Sequence, residues 1–264
     1  MTTLPEVNGG PKRRLLPLGT GSILMGDGRS AAGYLLECDT TRVLIDPGPG
    51  SLLRLSQAGL GVADLDFVLL SHFHPDHHAD LLGLLFRRNN PAFAGGRLRI
   101  VAPPGLRAIL AAWKTVYGTW IEHADDDIVE VTAGASVALG SIRVHAFPAK
   151  HAMPALLYRF GFPDGATAAY SGDTDACDAL VEACSGVDFC WVECSFPDEL
   201  AVAGHMTPGR VHDLLTVAQP RRCGLTHFYP AMIEWLACAD NLARTFAELA
   251  TEVVALRDLE GQPF

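Results

Sequence analysis

Four side chains able to bind a metal fall within six consecutive positions, His72-Phe73-His74-Pro75-Asp76-His77, of this 264-residue chain. Neutral imidazole and carboxylate suit Zn²⁺, and also Mn²⁺ or Fe²⁺ when more oxygen joins the shell. The pattern H-x-H-x-D-H needs four suitable residues at fixed spacing, which makes a polar loop rich in His by chance a poor account of it. His72 and His74 lie two apart, so on an extended segment they point the same way and can grip one ion. Asp76 and His77 sit where the chain turns into a helix predicted over 79–88, and can reach a second ion beside the first. Two metals are expected.

The elements that must position this loop are legible around it. The apolar run Asp66-Phe67-Val68-Leu69-Leu70 reads as a buried strand that hands its polar groups to the loop. Further strands are predicted over 15–18, 33–38, 42–46, 98–102, 128–132, 136–139, 142–147, 156–162, 167–171, 189–193 and 222–226. Helices are predicted over 51–59, 106–121, 175–184, 208–218 and 233–250. Gly19 and Gly21 read as a turn after the first strand, since G-x-G without a helix signal is weak for phosphate binding. Trp113, Tyr117 and Trp120 in 106–121 have the spacing of core aromatics, and the same segment could wall a substrate pocket. Helices alternating with strands in both halves predict an α/β fold, a four-layer αββα sandwich of two mixed sheets with outer helices. A faint echo of residues 67–75 in 223–230, and of 43–46 in 169–173, suggests that both halves deliver polar residues from strand ends to one edge.

Three distant residues would complete the site. His151 can supply a third nitrogen beside His72 and His74. Asp173, in Ser171-Gly172-Asp173-Thr174, can bridge both ions, with glycine letting the backbone approach. His227 can join Asp76 and His77. Asp46, another strand-end residue, is suited to orienting a histidine that binds metal. His78 stands next to the loop as a supporting group, and His123, His145 and His212 read as surface or structural.

Composition narrows the rest. A formal net charge of −10 repels polyanions, so a nucleic acid polymer is not the expected partner. Asp125-Asp126-Asp127 reads as a solvated turn. The seven cysteines are odd in number and form no C-x-x-C pair, which fits buried free thiols in a reducing compartment better than a Cys metal site. Cys190 and Cys194 would share one face of a strand. Residues 1–14 are polar and read as a disordered or extended segment ahead of a single domain over 15–264. No apolar run is long enough for a secretory or membrane segment, so a cytoplasmic protein with a small-molecule substrate is expected.

Taken in order, Leu18-Gly19-Thr20-Gly21, Ile45-Asp46, the H-x-H-x-D-H core, His151, Asp173 and His227 resemble the metallo-β-lactamase superfamily over nearly the whole chain. The resemblance implies the αββα fold, a dinuclear site and hydrolysis by a metal-bound hydroxide. The run Trp191-Val192-Glu193-Cys194-Ser195-Phe196, then Gly204-His205-Met206-Thr207 and 225–229, is similar to the ribonuclease Z group and its phosphodiesterase and arylsulfatase relatives. In that group the histidine of the H-x-T motif, paired with an upstream Glu, stabilises the leaving side of the phosphodiester. Carried over, this implies catalytic roles for His205 and Glu193 with Asp76; the alternative is a structural His205 capping the helix after Pro208. Members that mature transfer RNA carry a projecting arm between the third histidine and the bridging aspartate, where this chain has only residues 152–172. The resemblance therefore points to a phosphodiesterase for a small anionic substrate, such as a cyclic nucleotide or sugar phosphate, and to a possible homodimer. Carboxylic or sulfate esters, lactones or thioesters are the alternative substrates, and a non-catalytic binding module is the alternative outside enzymology.

Overall fold

Period-two alternation of apolar residues sorts the strands' side chains to two faces, and each face needs its own cover. The computed structural model describes residues 13–24, 26–90, 96–122, 126–238 and 240–264. One sheet contains β1 (Arg13–Gly19), β2 (Gly33–Cys38), β3 (Thr41–Ile45), β4 (Phe67–Leu69), β5 (Arg99–Ala102) and β6 (Asp127–Glu130), with β14 (Gln262–Pro263) beside β1. The other runs from β7 (Ser136–Leu139) through β8 (Ile142–Pro148), β9 (Leu156–Gly161), β10 (Thr167–Tyr170), β11 (Phe189–Glu193) and β12 (Arg222–Thr226) to β13 (Glu252–Ala255). Leu15, Tyr34, Leu36, Val43, Ile45 and Leu69 of the first sheet meet Tyr158, Phe160, Tyr170 and Trp191 of the second in a central core. Their neighbours Leu16, Leu35, Leu44 and Val68 face outward instead, onto α1 (Ser51–Gln57) and α2 (Pro75–Arg88). On the far side Ala169, Cys190, Val192 and Leu225 pack on α4 (Asp178–Cys184) and α5 (Pro208–Ala218). The four layers are thus an αββα sandwich, as the alternation predicts.

Strands β3 to β6 run parallel, as do β10 to β13. Because β8 and β10 are both antiparallel to β9, they point the same way as well. Parallel strands present their carboxyl ends on one rim, where α/β sheets place ligands. Residues following β3, β4, β8, β10, β11 and β12 all emerge there.

Several elements differ from the sequence reading for identifiable reasons. Helix α2 begins at Pro75, four residues before the predicted start, because proline's fixed φ suits the first helical position and His74 takes the cap. Asp76 and His77 therefore sit on a helical turn. Helix α3 spans Leu106–Tyr117 and gives way to a short 3₁₀ turn at Gly118–Ile121. Of its aromatics only Trp113 packs on the core, partly buried, while Trp120 is 61% exposed and Tyr117 is exposed; only Leu106 of the helix is fully buried. The strand it accompanies, β6, is the sheet edge and is itself only half-buried, so there is little apolar surface to cover. Helix α4 starts at Asp178, later than predicted, with Asp175 engaged by Arg210 at 2.9 Å instead. The long C-terminal helix is two helices, α6 (Pro230–Ala237) and α7 (Asn241–Phe246), followed by β13. A continuous 18-residue helix would extend about 27 Å and carry the chain past the sheet; the break folds it back so that β13 can pair with β12.

The acidic run is not a solvated turn either. Asp126 pairs with Arg88 at 2.7 Å, and Asp127, on β6, holds Arg99 at 2.8 Å. Asp125 and His123 lie outside the described residues. All seven cysteines are free; Cys238 is exposed, Cys177 is half-buried and the other five are buried. Among the described residues no helix is long and apolar enough to cross a membrane.

Candidate metal centre

The rim gathers the seven predicted donors into two adjoining pockets. In the first, His72 Nε2 and His151 Nε2 each stand 3.1 Å from His74 Nδ1. In the second, His77 Nε2 and His227 Nε2 are 3.2 Å apart, with Asp76 Oδ2 3.4 Å from His227. Asp173 lies between them. Its Oδ2 is 3.8 Å from His72 Nε2, while its Oδ1 is 3.2 Å from His77 Nε2 and 3.5 Å from His227 Nε2. Strand ends explain the convergence: the loop after β4 brings His72 and His74, the first turn of α2 brings Asp76 and His77, and the turns after β8, β10 and β12 bring the rest.

Four of the five imidazoles have their far nitrogen held, so that the other faces inward. Ser71 Oγ is 2.9 Å from His72 Nδ1, and Asp46 Oδ2 accepts from His77 Nδ1 at 2.9 Å. The Gly204 carbonyl accepts from His151 Nδ1 at 3.0 Å, and Ser195 Oγ from His227 Nδ1 at 2.9 Å. Such partners fix the tautomer and ring orientation of a metal-binding histidine. Asp46 thus takes the orienting position read from its place at a strand end; it also accepts from Ser71 N at 2.7 Å, Ser71 Oγ and Tyr170 Oη at 2.8 Å. Two glycines keep the approach open. A side chain at Gly172 would lie 2.8 Å from Ser71 Cβ, and one at Gly204 would lie 3.2 Å from His151 Nδ1, both at positive φ.

Two observations show that this donor set fits divalent cations. Two nitrogens bonded to one tetrahedral Zn²⁺ at about 2.0–2.1 Å stand about 3.3 Å apart, close to the spacings here. Second, Asp46, Asp76, Asp173 and Glu193 are all buried, yet among the described residues no Lys or Arg pairs with any of them. Asp173 Oδ1 is buried and accepts no hydrogen bond. Buried carboxylates without a cation are expensive. The imidazoles respond unevenly to this field: burial and the neighbouring His77 push His72 well below its ordinary value. For His77 burial acts in the same sense but is outweighed by Asp173 and Asp46, which raise it. Burial also opposes the ionisation of Asp76, and His227 and His77 overcome it and draw the carboxyl down to about 2.

His205 adjoins both pockets. Its Nδ1 lies 3.1 Å and 3.2 Å from the two oxygens of Glu193 and 3.9 Å from Asp173 Oδ2. Burial lowers its basicity, but the hydrogen bond and charge of Glu193 prevail and push it up to about 9. Glu193 is held in turn by Thr174 N at 2.8 Å and by the Ser195 hydroxyl. The helix after Pro208 is capped by Thr207, whose side chain accepts from Arg210 N, so His205 is not its cap. Phe196 and Tyr229, stacked at 4.4 Å, wall the side next to His205. His78 donates to or accepts nothing from the donors' side chains; its Nδ1 lies 2.9 Å from the His74 carbonyl and its ring stacks on Trp113. The sequence does not point to Ser71, Ser195 or the Gly204 carbonyl as holding groups. Only adjacency to a strand end marks them, and that signal is shared with many serines and glycines.

A two-pocket histidine and aspartate cage on the rim of an αββα sandwich defines a protein of the metallo-β-lactamase fold. The chain belongs to that superfamily: residues 41–228 match the family model described as the beta-lactamase superfamily domain. It is 31% identical over 252 residues to the uncharacterized protein Rv1339 of Mycobacterium tuberculosis, covering 92% of this chain and 89% of that one. It is 32% identical over 186 residues to ribonuclease Z of Mycobacterium bovis, covering 65% and 66% respectively. Among solved structures, the metallo-β-lactamase fold protein YhfI from Bacillus subtilis superposes with a TM-score of 0.81 at 18% identity, covering 97% of this chain and 100% of YhfI.

Proposed function

We propose that the protein is a hydrolase holding two divalent cations and cleaving a phosphodiester in a small anionic molecule, a cyclic nucleotide or a sugar phosphate. His72, His74 and His151 hold one ion, Asp76, His77 and His227 the other, and Asp173 touches both. Zn²⁺ fits the donor set best, with Mn²⁺ or Fe²⁺ as alternatives. When bound, such a pair supplies an acidified water and neutralises charge on the phosphoryl oxygens. The chain's own residues do the rest. His205 carries a proton at neutral pH and gives it to the departing oxygen; Glu193 aims the ring and keeps it charged.

The observation that carries this reading is the partly exposed His205 paired with the buried Glu193 beside Asp173. It places a proton donor at the edge of both pockets, where a leaving group needs one. Kinship with ribonuclease Z supports the phosphodiester class. A small substrate is supported by the stretch between His151 and Asp173, which holds β9, a turn and β10. Protein loaded with Zn²⁺ or Mn²⁺ is expected to turn over bis-p-nitrophenyl phosphate, and absence of turnover by chain shown to carry two ions would overturn the assignment. His205→Ala should lower kcat about 10²- to 10⁴-fold, most for poor leaving groups, at unchanged metal content. The stacked Phe196 and Tyr229 favour a second reading, an apolar carboxylic or sulfate ester, lactone or thioester on the same site. A panel of such esters assayed beside the phosphodiester decides between them by kcat/KM.

A further inference from the structure

Ser195 is fully buried, and its hydroxyl meets three functional side chains. The hydroxyl oxygen lies 2.9 Å from His227 Nδ1 and 3.4 Å from His205 Nδ1, and it donates its proton to Glu193 Oε2. Roles follow from donor counting. The hydroxyl has one proton, committed to Glu193, and lone pairs that accept from His227 Nδ1–H. His205 Nδ1–H has the nearer Glu193 oxygens to donate to, at 3.1 Å and 3.2 Å, and does not depend on Ser195 directly. The main chain adds two ties: Ser195 N donates to the Met206 carbonyl at 3.1 Å, and Tyr229 N donates to the Ser195 carbonyl at 3.2 Å. One residue thereby joins the segment after β11, the H-x-T loop and the segment after β12.

Taking the function proposed above as given, we infer that Ser195 is a positioning residue that couples the second metal pocket to the proton donor. It locks His227 in the tautomer whose Nε2 is a bare lone pair facing Asp76 and His77. It also pins the carboxylate that aims His205. The first pocket has no such link: His151 and His72 are held by the Gly204 carbonyl and Ser71, neither of which contacts Glu193 among the described residues. Ser195 is thus the point at which loss of one hydroxyl disturbs both metal binding and proton delivery.

The test compares Ser195→Ala with Ser195→Thr, which keeps the hydroxyl, and with Ser195→Cys, a near-isosteric weak donor. The first readout is Zn²⁺ affinity from chelator competition, resolved for the two pockets by Co²⁺ spectra. Ser195→Ala should weaken the second pocket about 10- to 100-fold and leave the first within a factor of two or so; Ser195→Thr should restore wild-type affinity, and Ser195→Cys should fall between. The second readout is the dependence of kcat on leaving-group pKa with aryl phosphodiesters, expected to steepen in Ser195→Ala. A merely structural serine would lower the melting temperature without separating the pockets, and equal weakening of both pockets, or of neither, would overturn the inference. Should Ser195→Ala not fold, the Thr and Cys variants still rank the hydroxyl's strength. Should wild-type protein bind metal yet cleave no phosphodiester, the functional reading fails while the pocket-resolved affinities still decide the role of Ser195.

Discussion

The two candidate metal pockets share Asp173 but are built differently. Asp76, His77 and His227 are all buried, whereas His74 and His151 of the first pocket are half-exposed. The supports differ as well: Asp46 bonds His77 directly but reaches His72 only through Ser71, His227 rests on a hydroxyl already committed to Glu193, and His151 leans on a loop carbonyl. Burial and anionic support make a site tight and slow to exchange; partial exposure makes one accessible. On the proposed function, this contrast would give retention to the second, inner pocket and substrate access to the first, outer one.

The largest effect should come from removing what they share. Asp173→Ala takes a buried carboxylate from both pockets at once, and kcat should fall on the order of 10³-fold or more, with metal analysis showing loss from both. If one pocket kept its full occupancy, the bridging position assigned to Asp173 would be wrong. A smaller and uneven effect is expected for Asp46→Asn. The amide cannot accept from Ser71, Tyr170 and His77 together, so inner-pocket affinity should drop about 10- to 100-fold and stability by about 1–3 kcal/mol. Outer-pocket affinity should fall less, because Asp46 reaches His72 only through Ser71, and equal losses in both would erase the distinction drawn above. Subtlest is the order of release. Under a weak chelator the protein should lose its metal in two phases, and His151→Ala should abolish the fast phase alone. A single phase in the wild type would mean that the exposure difference has no kinetic consequence.

Much of this was legible in the chain. Strands β11 and β12 and helix α5 stand where the residues predict them, because each is a clean apolar run or stripe bounded by turn residues. The seven donors could be picked out because four fall in one H-x-H-x-D-H run after β4 and the other three follow strands β8, β10 and β12. Helix starts were harder: nothing local says that Pro75 opens α2 rather than ending a loop. Trp120 and Tyr117 have core spacing but stay exposed, Trp120 meeting only the half-exposed ring of Phe86, and the neighbouring edge strand explains why. Of the groups that hold the imidazoles, Asp46 could be read from its strand end, but Ser195 and Gly204 act across the fold, 32 and 53 positions from His227 and His151. Ser71 adjoins His72 in the chain, yet only its bond to the distant Asp46 aims the hydroxyl.

Two side chains at the rim, Asp46 and His227, sit at φ of 45° and 61°, in the left-handed region that L-residues avoid. Each such residue is disfavoured by roughly 1–2 kcal/mol, and glycine at either position would relax the backbone while destroying the site. The side chains more than offset that cost: Asp46 accepts four hydrogen bonds and His227 is buried against Ser195, so glycine would leave buried donors unpaired. A laboratory search for heat-resistant variants should therefore leave both positions untouched even without an activity screen, and the awkward backbone would persist as a by-product of the scaffold that holds it.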